Sequence, residues 1–259
     1  MKKLPLLQAL VKTYPTYTKD ELLAFIFCKN VYVDGELISD PKQGVAENAE
    51  FEIHTQTYVS RGGYKLEHAL HAFELDVEGK VFIDAGSSTG GFTDCLLQHG
   101  VSAVHAVDVG YNLIDWKLRS DERVILHEKQ NIMHLEEVDP PAEAAVCDLS
   151  FRSIRKAASH ILRLVGDTFL IALIKPQFEI ANAPASFTGV IDDPTVIEEV
   201  MEEVYARLDE EGVGVFDLVV SPIKGAKGNI EFLALLKKGQ GISLEHFTER
   251  LQGQLALLQ

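Results

Sequence analysis

Between residues 81 and 237 the chain repeats one unit: a short apolar run, a turn, and a helix-like or polar stretch. Strands are expected at 81–84, 103–108, 124–127, 144–148, 168–175, 214–220 and 231–237. Strand–helix alternation of this kind builds a parallel sheet covered by helices. The run "FLIALI" is unbroken, as suits a strand buried on both faces. Charged residues end several runs: Asp84, Asp108, Asp148 and Lys175. Ligands of open α/β sheets bind beyond the carboxyl ends of the strands, so these charges fall where function is expected. Asp193 and Pro194 open a further helix with Ile197, Val200, Val204 and Leu208 on one stripe, and Gly212 stops it. A last helix is expected within 242–259, with Leu244, Phe247, Leu251, Leu255 and Leu258 at helical spacing.

The first 57 residues have another texture. Leu6, Leu7, Leu10 and Val11 give one helical stripe, and Thr18 can cap a second helix in which Leu22, Leu23, Phe25 and Ile26 face inward. Asn30 is expected to end that helix in a left-handed conformation. Asp34-Gly35 inside "VYVDGELI" is a hairpin signal, and "AEFEIH" reads as one more short strand. The expected organisation is a small α+β domain over 1–57, a linker at 58–60, and an α/β domain over 61–259.

Composition narrows the function classes. A formal net charge of −15 excludes a polycation that binds nucleic acid without specificity, though not a local basic patch. Cys28, Cys95 and Cys147 are far apart with no CxxC pair, which suggests neither a disulfide framework nor a zinc site and fits a reducing cytoplasm. His68 and His71 have metal-like spacing, but no third ligand is evident, so packing is the plainer reading and no metal is expected. The opening "MKKLPLLQALVK" is too short and too interrupted for a signal peptide, and no apolar run approaches the ~20 residues of a membrane helix.

Chemistry concentrates in "VFIDAGSSTGGFTD". An apolar strand ends in Asp84, and a turn with Gly86, Gly90 and Gly91 feeds a helix, letting a ligand approach the backbone. The spacing matches neither the dinucleotide fingerprint nor the Walker loop, and no lysine follows to meet a triphosphate. Asp108 ends the next strand, placed to accept hydrogen bonds from ribose hydroxyls. A ligand with a ribose but no phosphate fits, and S-adenosylmethionine is such a ligand. A ligand-free tight turn is the alternative.

The segments "YVSRGGYKL", "DAGSSTGGFTDCLL", "AVDVGY", "CDLSF", "IKPQFE" and "KGNIEFL", in this order, resemble the TlyA-type proteins, the hemolysin A or FtsJ-like ribosomal RNA methyltransferases. The likeness spans nearly the whole chain. It implies a Rossmann-like, seven-stranded class I methyltransferase domain behind an N-terminal RNA-binding domain. The segment "YTKDELLAFIFCKNVYVDGELISDP" is similar to that RNA-binding module. The resemblance places a catalytic Lys–Asp–Lys–Glu tetrad on Lys65, Asp148, Lys175 and Glu231, acting on a ribose 2′-hydroxyl. It places cofactor contacts on Gly86, Ser88, Thr89, Gly90, Gly91 and Phe92 beside Asp84, with Asp108 on the ribose. Asn131 falls near the adenine edge, or else makes an ordinary Asx turn.

Lys175 is the leading base; orientation and alkoxide stabilisation by both lysines is the other role open to it. Expected phosphate contacts are Lys19, Lys29, Arg61, Arg152, Arg155, Lys156, Lys224 and Lys227, with Lys117, Arg119 and Arg123 as further basic residues. Asp192 stands where the family carries an arginine. Ribosomal RNA or an assembled subunit is the expected partner. An RNA-associated protein that only binds the cofactor is one alternative, and a small-molecule methyltransferase is another.

Overall fold

The computed structural model describes residues 3–27, 29–54, 58–149, 153–166, 168–180, 187–191 and 193–258. Arg152, an expected phosphate contact, lies outside these residues, as do Asp192 and Cys28.

The first part runs β1 (Lys3–Pro5), α1 (Leu6–Thr13), α2 (Lys19–Phe27), β2 (Val31–Val33), β3 (Glu36–Leu37), β4 (Gly44–Ala46) and β5 (Phe51–Ile53). β1 pairs with β4, and β3, β2 and β5 form a second small sheet. Thr18 opens α2 through a capping box: its Oγ1 accepts from the Glu21 amide at 3.2 Å, while the Glu21 carboxylate accepts from the Thr18 amide at 2.7 Å. Asp34 and Gly35 both have positive φ, as a tight hairpin between β2 and β3 requires. Lys29, rather than Asn30, is the left-handed residue after α2, with φ 59°. Val11 is exposed while Leu6, Ala9 and Leu10 are buried, so the stripe of α1 lies one position off the expected one. Leu6 and Leu10 are core residues of this part, together with Leu22, Phe25, Ile26 and Val31.

The second part runs α3 (Gly62–Ala72), β6 (Val81–Ala85), α4 (Gly91–Gln98), β7 (Ala103–Asp108), α5 (Trp116–Arg119), β8 (Val124–Glu128), β9 (Ala144–Cys147), α6 (Ala158–Leu164), β10 (Phe169–Ile174), α7 (Pro176–Glu179), α8 (Pro194–Glu210), β11 (Val213–Val220), β12 (Phe232–Lys238) and α9 (Leu244–Ala256). These strands form one sheet in the order β11-β12-β10-β9-β6-β7-β8. Two apolar clusters cover its faces, one including Ile83, Leu170 and Ile174, the other Phe82, Ile171 and Leu173. Alternate residues of β10 thus enter opposite cores, which explains its unbroken apolar run.

The sheet departs from the expected all-parallel pattern at one strand. β12 is antiparallel to both β10 and β11, because the segment after β11 returns the chain beside β10. This reversal pairs Phe232, at the start of β12, with Ile174, at the end of β10. Glu231 therefore reaches the sheet edge that carries Lys175, although it precedes its strand and Lys175 follows its own.

Residues 58–60 are packed rather than a loose tether. Tyr58 is buried, and the Val59 amide donates to Asp94 of α4 at 2.8 Å. Leu244 and Leu258 of the C-terminal stripe are exposed, while Phe247, Leu251 and Leu255 are buried.

Candidate active site

Lys65, Asp148, Lys175 and Glu231 line a single cavity of about 410 Å³ at the carboxyl edge of β6, β9 and β10. They form two ion pairs, Lys65 Nζ to Glu231 Oε2 at 2.5 Å and Lys175 Nζ to Asp148 Oδ1 at 2.5 Å. Glu231 is 3% exposed in its side chain, Lys65 11% and Lys175 10%, while Asp148 is 28% exposed, so the Lys65–Glu231 pair is the drier of the two.

Glycines set the walls. Gly62 and Gly63 open α3 and Gly90 and Gly91 open α4 where the two helix starts meet: a Cβ on Gly91 would lie 2.2 Å from Ser60 Oγ and 3.1 Å from Gly62 Cα. A Cβ on Gly86 would lie 2.4 Å from the Asp148 carbonyl oxygen, and Gly86 has φ +87°. Only glycine fits the turn between β6 and α4 at that point.

A second cavity of about 300 Å³ adjoins the first and shares Gly86, Ser88 and Asp148 with it. Asp108, Asn131, Gln130 and Leu113 also line it. The Asp108 carboxylate is aimed by two backbone amides, Ser88 at 2.9 Å and Gly110 at 2.7 Å. Ser88 has φ 48°, an uncommon conformation for a non-glycine residue, and the hydrogen bond its backbone N–H donates to Asp108 holds it there. Asn131 makes the ordinary turn that was the second of its two readings. It lines the cavity, while its side-chain oxygen accepts from the Met133 amide at 3.0 Å and caps a 3-10 turn.

Asp84 is fully buried beneath the first cavity. Its Oδ2 accepts from Thr93 Oγ1 at 2.6 Å, and its Oδ1 has no hydrogen-bond partner among the described residues. Burial pushes its pKa up to about 7, and the charges of Asp148 and Asp108 add to the rise while the Thr93 bond opposes it. An orphaned carboxylate oxygen with two further acids nearby is a place for a cation. S-adenosylmethionine carries two, an ammonium and a sulfonium, beside an adenosine that suits the second cavity. The residues present fit that group. Thr89, Gly91 and Phe92 also line the first cavity; Gly90, with φ +95°, packs instead against Leu118 and Ile114.

The basic residues divide. Arg61 and Lys224 line the tetrad cavity. Lys224 also lines, with Lys19 and Lys42, a cleft of about 520 Å³ whose walls come from α1, α2, the residues after β11 and the C-terminal Leu257 and Leu258. Lys29, Lys156 and Lys227 are exposed, and Lys227 Nζ donates to the Thr188 carbonyl at 3.0 Å. Arg155 departs from its expected role as a phosphate contact. Its guanidinium pairs with Glu179 at 3.1 Å and Glu203 at 2.9 Å and donates to the Glu179 carbonyl, which anchors α7 just behind Lys175. Arg119 and Arg123 are likewise paired, with Glu128 and Asp121.

Sequence reasoning missed Gln177, Phe178, Ser60 and Gly225 in the tetrad cavity. Gln177 is 8% exposed, and its Oε1 has no hydrogen-bond partner among the described residues. Its place two residues after Lys175 was the available signal.

Residues 58–238 match the FtsJ-like methyltransferase family. The chain belongs to that family. It is 38% identical over 224 residues to Hemolysin A of Brachyspira hyodysenteriae, covering 85% of this chain and 93% of that protein. It is 34% identical over 229 residues to the 16S/23S rRNA (cytidine-2′-O)-methyltransferase TlyA of Mycobacterium tuberculosis, covering 85% and 84%. A solved structure from Streptococcus thermophilus superposes with a TM-score of 0.73 at 35% identity, covering 100% of this chain and 98% of that one. The match to this FtsJ-like family begins at residue 58, where Tyr58 and Val59 pack onto α4.

Proposed function

We propose that this protein methylates a ribose 2′-hydroxyl of RNA, with ribosomal RNA as the substrate. The observation that carries the reading is the cavity in which two lysine–carboxylate pairs converge beside a cradle suited to S-adenosylmethionine. Relatives at 34% identity that bear the name rRNA (cytidine-2′-O)-methyltransferase support the substrate class.

When bound, S-adenosylmethionine supplies an electrophilic methyl group. The chain's residues have to place the acceptor oxygen in line with it and dispose of the hydroxyl proton. Lys175 Nζ, steered by Asp148, is the group placed to take that proton as a neutral amine, once the proton of its ammonium form has passed to solvent. Lys65, fixed by Glu231, presents a cation that stabilises negative charge developing on the oxygen. Asp84 would hold the cofactor's ammonium and Asp108 its ribose. Phe178 and the orphaned Gln177 amide oxygen form the wall on which the acceptor nucleotide rests.

Residues 1–57 act as the RNA-binding domain in this reading and 61–259 as the methyltransferase domain. Lys224 joins the two surfaces, since it borders both the tetrad cavity and the cleft that holds Lys19. These lysines with Arg61 give a local basic path on an acidic protein, and RNA affinity falls with salt accordingly. No helix among the described residues is long and apolar enough to cross a membrane. The cytoplasm, where ribosomal RNA is found, is the proposed location.

Tritiated methyl transfer from S-adenosylmethionine to naked ribosomal RNA and to each intact subunit tests the proposal. Incorporation into at least one substrate is expected. Cofactor binding without incorporation into any of them would favour an RNA-associated binding protein instead.

A further inference from the structure

His68 and His71 share a helix face in the sequence, yet the structure separates their roles. His68 Nδ1 lies 3.3 Å from the Phe27 carbonyl oxygen, and burial lowers its pKa to about 4. His71 instead meets Glu67, one turn earlier on α3, and His99, the residue that ends α4. One carboxylate oxygen and one ring nitrogen from each histidine lie within 4.8 Å of one another.

Three features make this cluster suited to a cation. Glu67 is 3% exposed, so its charge is poorly screened. α3 and α4 both end here, with His71 in the last turn of α3 and His99 at the C-cap of α4, and their terminal carbonyls add negative potential. His99 Nδ1 lies 2.8 Å from the Cys95 carbonyl oxygen. A carbonyl only accepts, so Nδ1 carries the proton and Nε2 keeps its lone pair. A ring nitrogen pinned to a carbonyl on the far side is the arrangement of metal-binding histidines.

We propose that Glu67, His71 and His99 bind one divalent transition-metal ion, of which zinc is the best match to two imidazoles and a carboxylate. Zinc sits about 2.0–2.2 Å from nitrogen and oxygen ligands, a distance that small side-chain rotations would reach from this spacing. Cys95 is not the fourth ligand. Its Sγ lies on the Nδ1 side of His99, at 3.7 Å, away from the ring nitrogen that keeps its lone pair. Water completes the coordination.

The ion would staple α3 to α4 at their far ends. Lys65 lies two residues before Glu67 on α3, and the start of α4 closes the Gly86–Gly91 turn, so the same two helices carry part of the tetrad and the cofactor cradle. The site is independent of which substrate is methylated.

The test uses the full chain, reduced and stripped of metal, titrated with zinc by calorimetry and with cobalt(II) by visible absorption. One equivalent of each is expected to bind, with cobalt bands of low coordination number, and zinc should raise the melting temperature. Glu67→Gln, His71→Gln and His99→Gln should each weaken zinc binding by roughly tenfold or more and abolish the thermal shift. His68→Gln should retain both, and circular dichroism establishes that each variant is folded. His71→Gln replaces a side chain at a helix end and spares the buried Glu67, which keeps the test open if Glu67→Gln is unfolded. No stoichiometric binding by the wild type, or undiminished binding by folded His71→Gln and His99→Gln, would overturn the proposal.

Discussion

A Cβ on Gly225 would sit 2.0 Å from Oε1 of Glu231, so the acid that holds Lys65 occupies space that only glycine leaves. Glu231 is buried, and displacing it would leave the largely buried Lys65 without its counter-ion. Gly225→Ala should therefore lower methyl transfer by about 10²-fold or more, with S-adenosylmethionine affinity little changed, because the cofactor turn is elsewhere. Single-turnover rates beside calorimetric affinities make the comparison. Equal losses in both would place Gly225 in general folding.

Lys175 distinguishes proton removal from charge alone. Lys175→Arg keeps a cation near Asp148, yet arginine stays protonated in proteins and cannot act as a base. A base at this position means that Lys175→Arg and Lys175→Ala both lose roughly 10²–10⁴-fold in rate. Near-normal turnover by the arginine variant would assign Lys175 to orientation.

Asp84 links cofactor affinity to pH. Its folded pKa near 7 lies well above the ordinary carboxylate value of 3.8, so the free protein holds this proton where the unfolded chain has lost it. Its contribution to stability therefore declines as pH rises from about 4 to 7 and is level above. The ionised form is the one that receives a cation, so cofactor affinity should weaken about tenfold per pH unit below 7. Asp84→Asn should melt higher than wild type at pH 8, lose that advantage near pH 4, and bind the cofactor weakly at every pH. Calorimetry across this range is the measurement, and a pH-independent affinity in the wild type would remove Asp84 from the ammonium site.

The histidines act in the opposite sense. His105 is wholly buried on β7, with Nε2 at 2.8 Å from the Pro140 carbonyl oxygen and Nδ1 at 3.0 Å from His127 Nε2. The carbonyl fixes the proton on His105 Nε2, so His127 must donate to His105 Nδ1, and both rings are neutral. Burial lowers both pKa values below 6.5, as it does for His68. Stability from these residues is present above pH 6.5 and is lost as pH falls toward their folded values. Against the opposing contribution of Asp84, which both proteins share, the wild type should lose melting temperature relative to His127→Gln as pH falls from 6.5, which is a change of slope between the two. An unchanged slope would show that the pair does not titrate on unfolding.

What the sequence revealed follows from the range of the forces involved. Capping and turns depend on neighbours, so the Thr18–Glu21 box and the Asp34–Gly35 hairpin were legible in a few residues. The seven strands were legible because each is a short apolar run bounded by turns, and β10, buried on both faces, is unbroken. Strand direction was not, since the pairing of Phe232 with Ile174 joins residues far apart in the chain. Lys65, Asp148, Lys175 and Glu231 were singled out through motif order, while their grouping into Lys65–Glu231 and Lys175–Asp148 pairs depends on that hidden reversal. Arg155 shows the limit of reading charge alone: its sequence neighbourhood suits a phosphate contact, but Glu179 and Glu203 surround it in the fold.

The most direct test of ribose chemistry is the position of the transferred methyl group. Labelled ribosomal RNA would be digested with alkali, which cleaves beside a free 2′-hydroxyl and not beside a 2′-O-methyl. Ribose methylation predicts label in alkali-resistant dinucleotides, absent when Lys175→Ala replaces the wild type. Label recovered in mononucleotides would place the methyl on a base and contradict the catalytic role of Lys65, Asp148, Lys175 and Glu231 at a ribose hydroxyl.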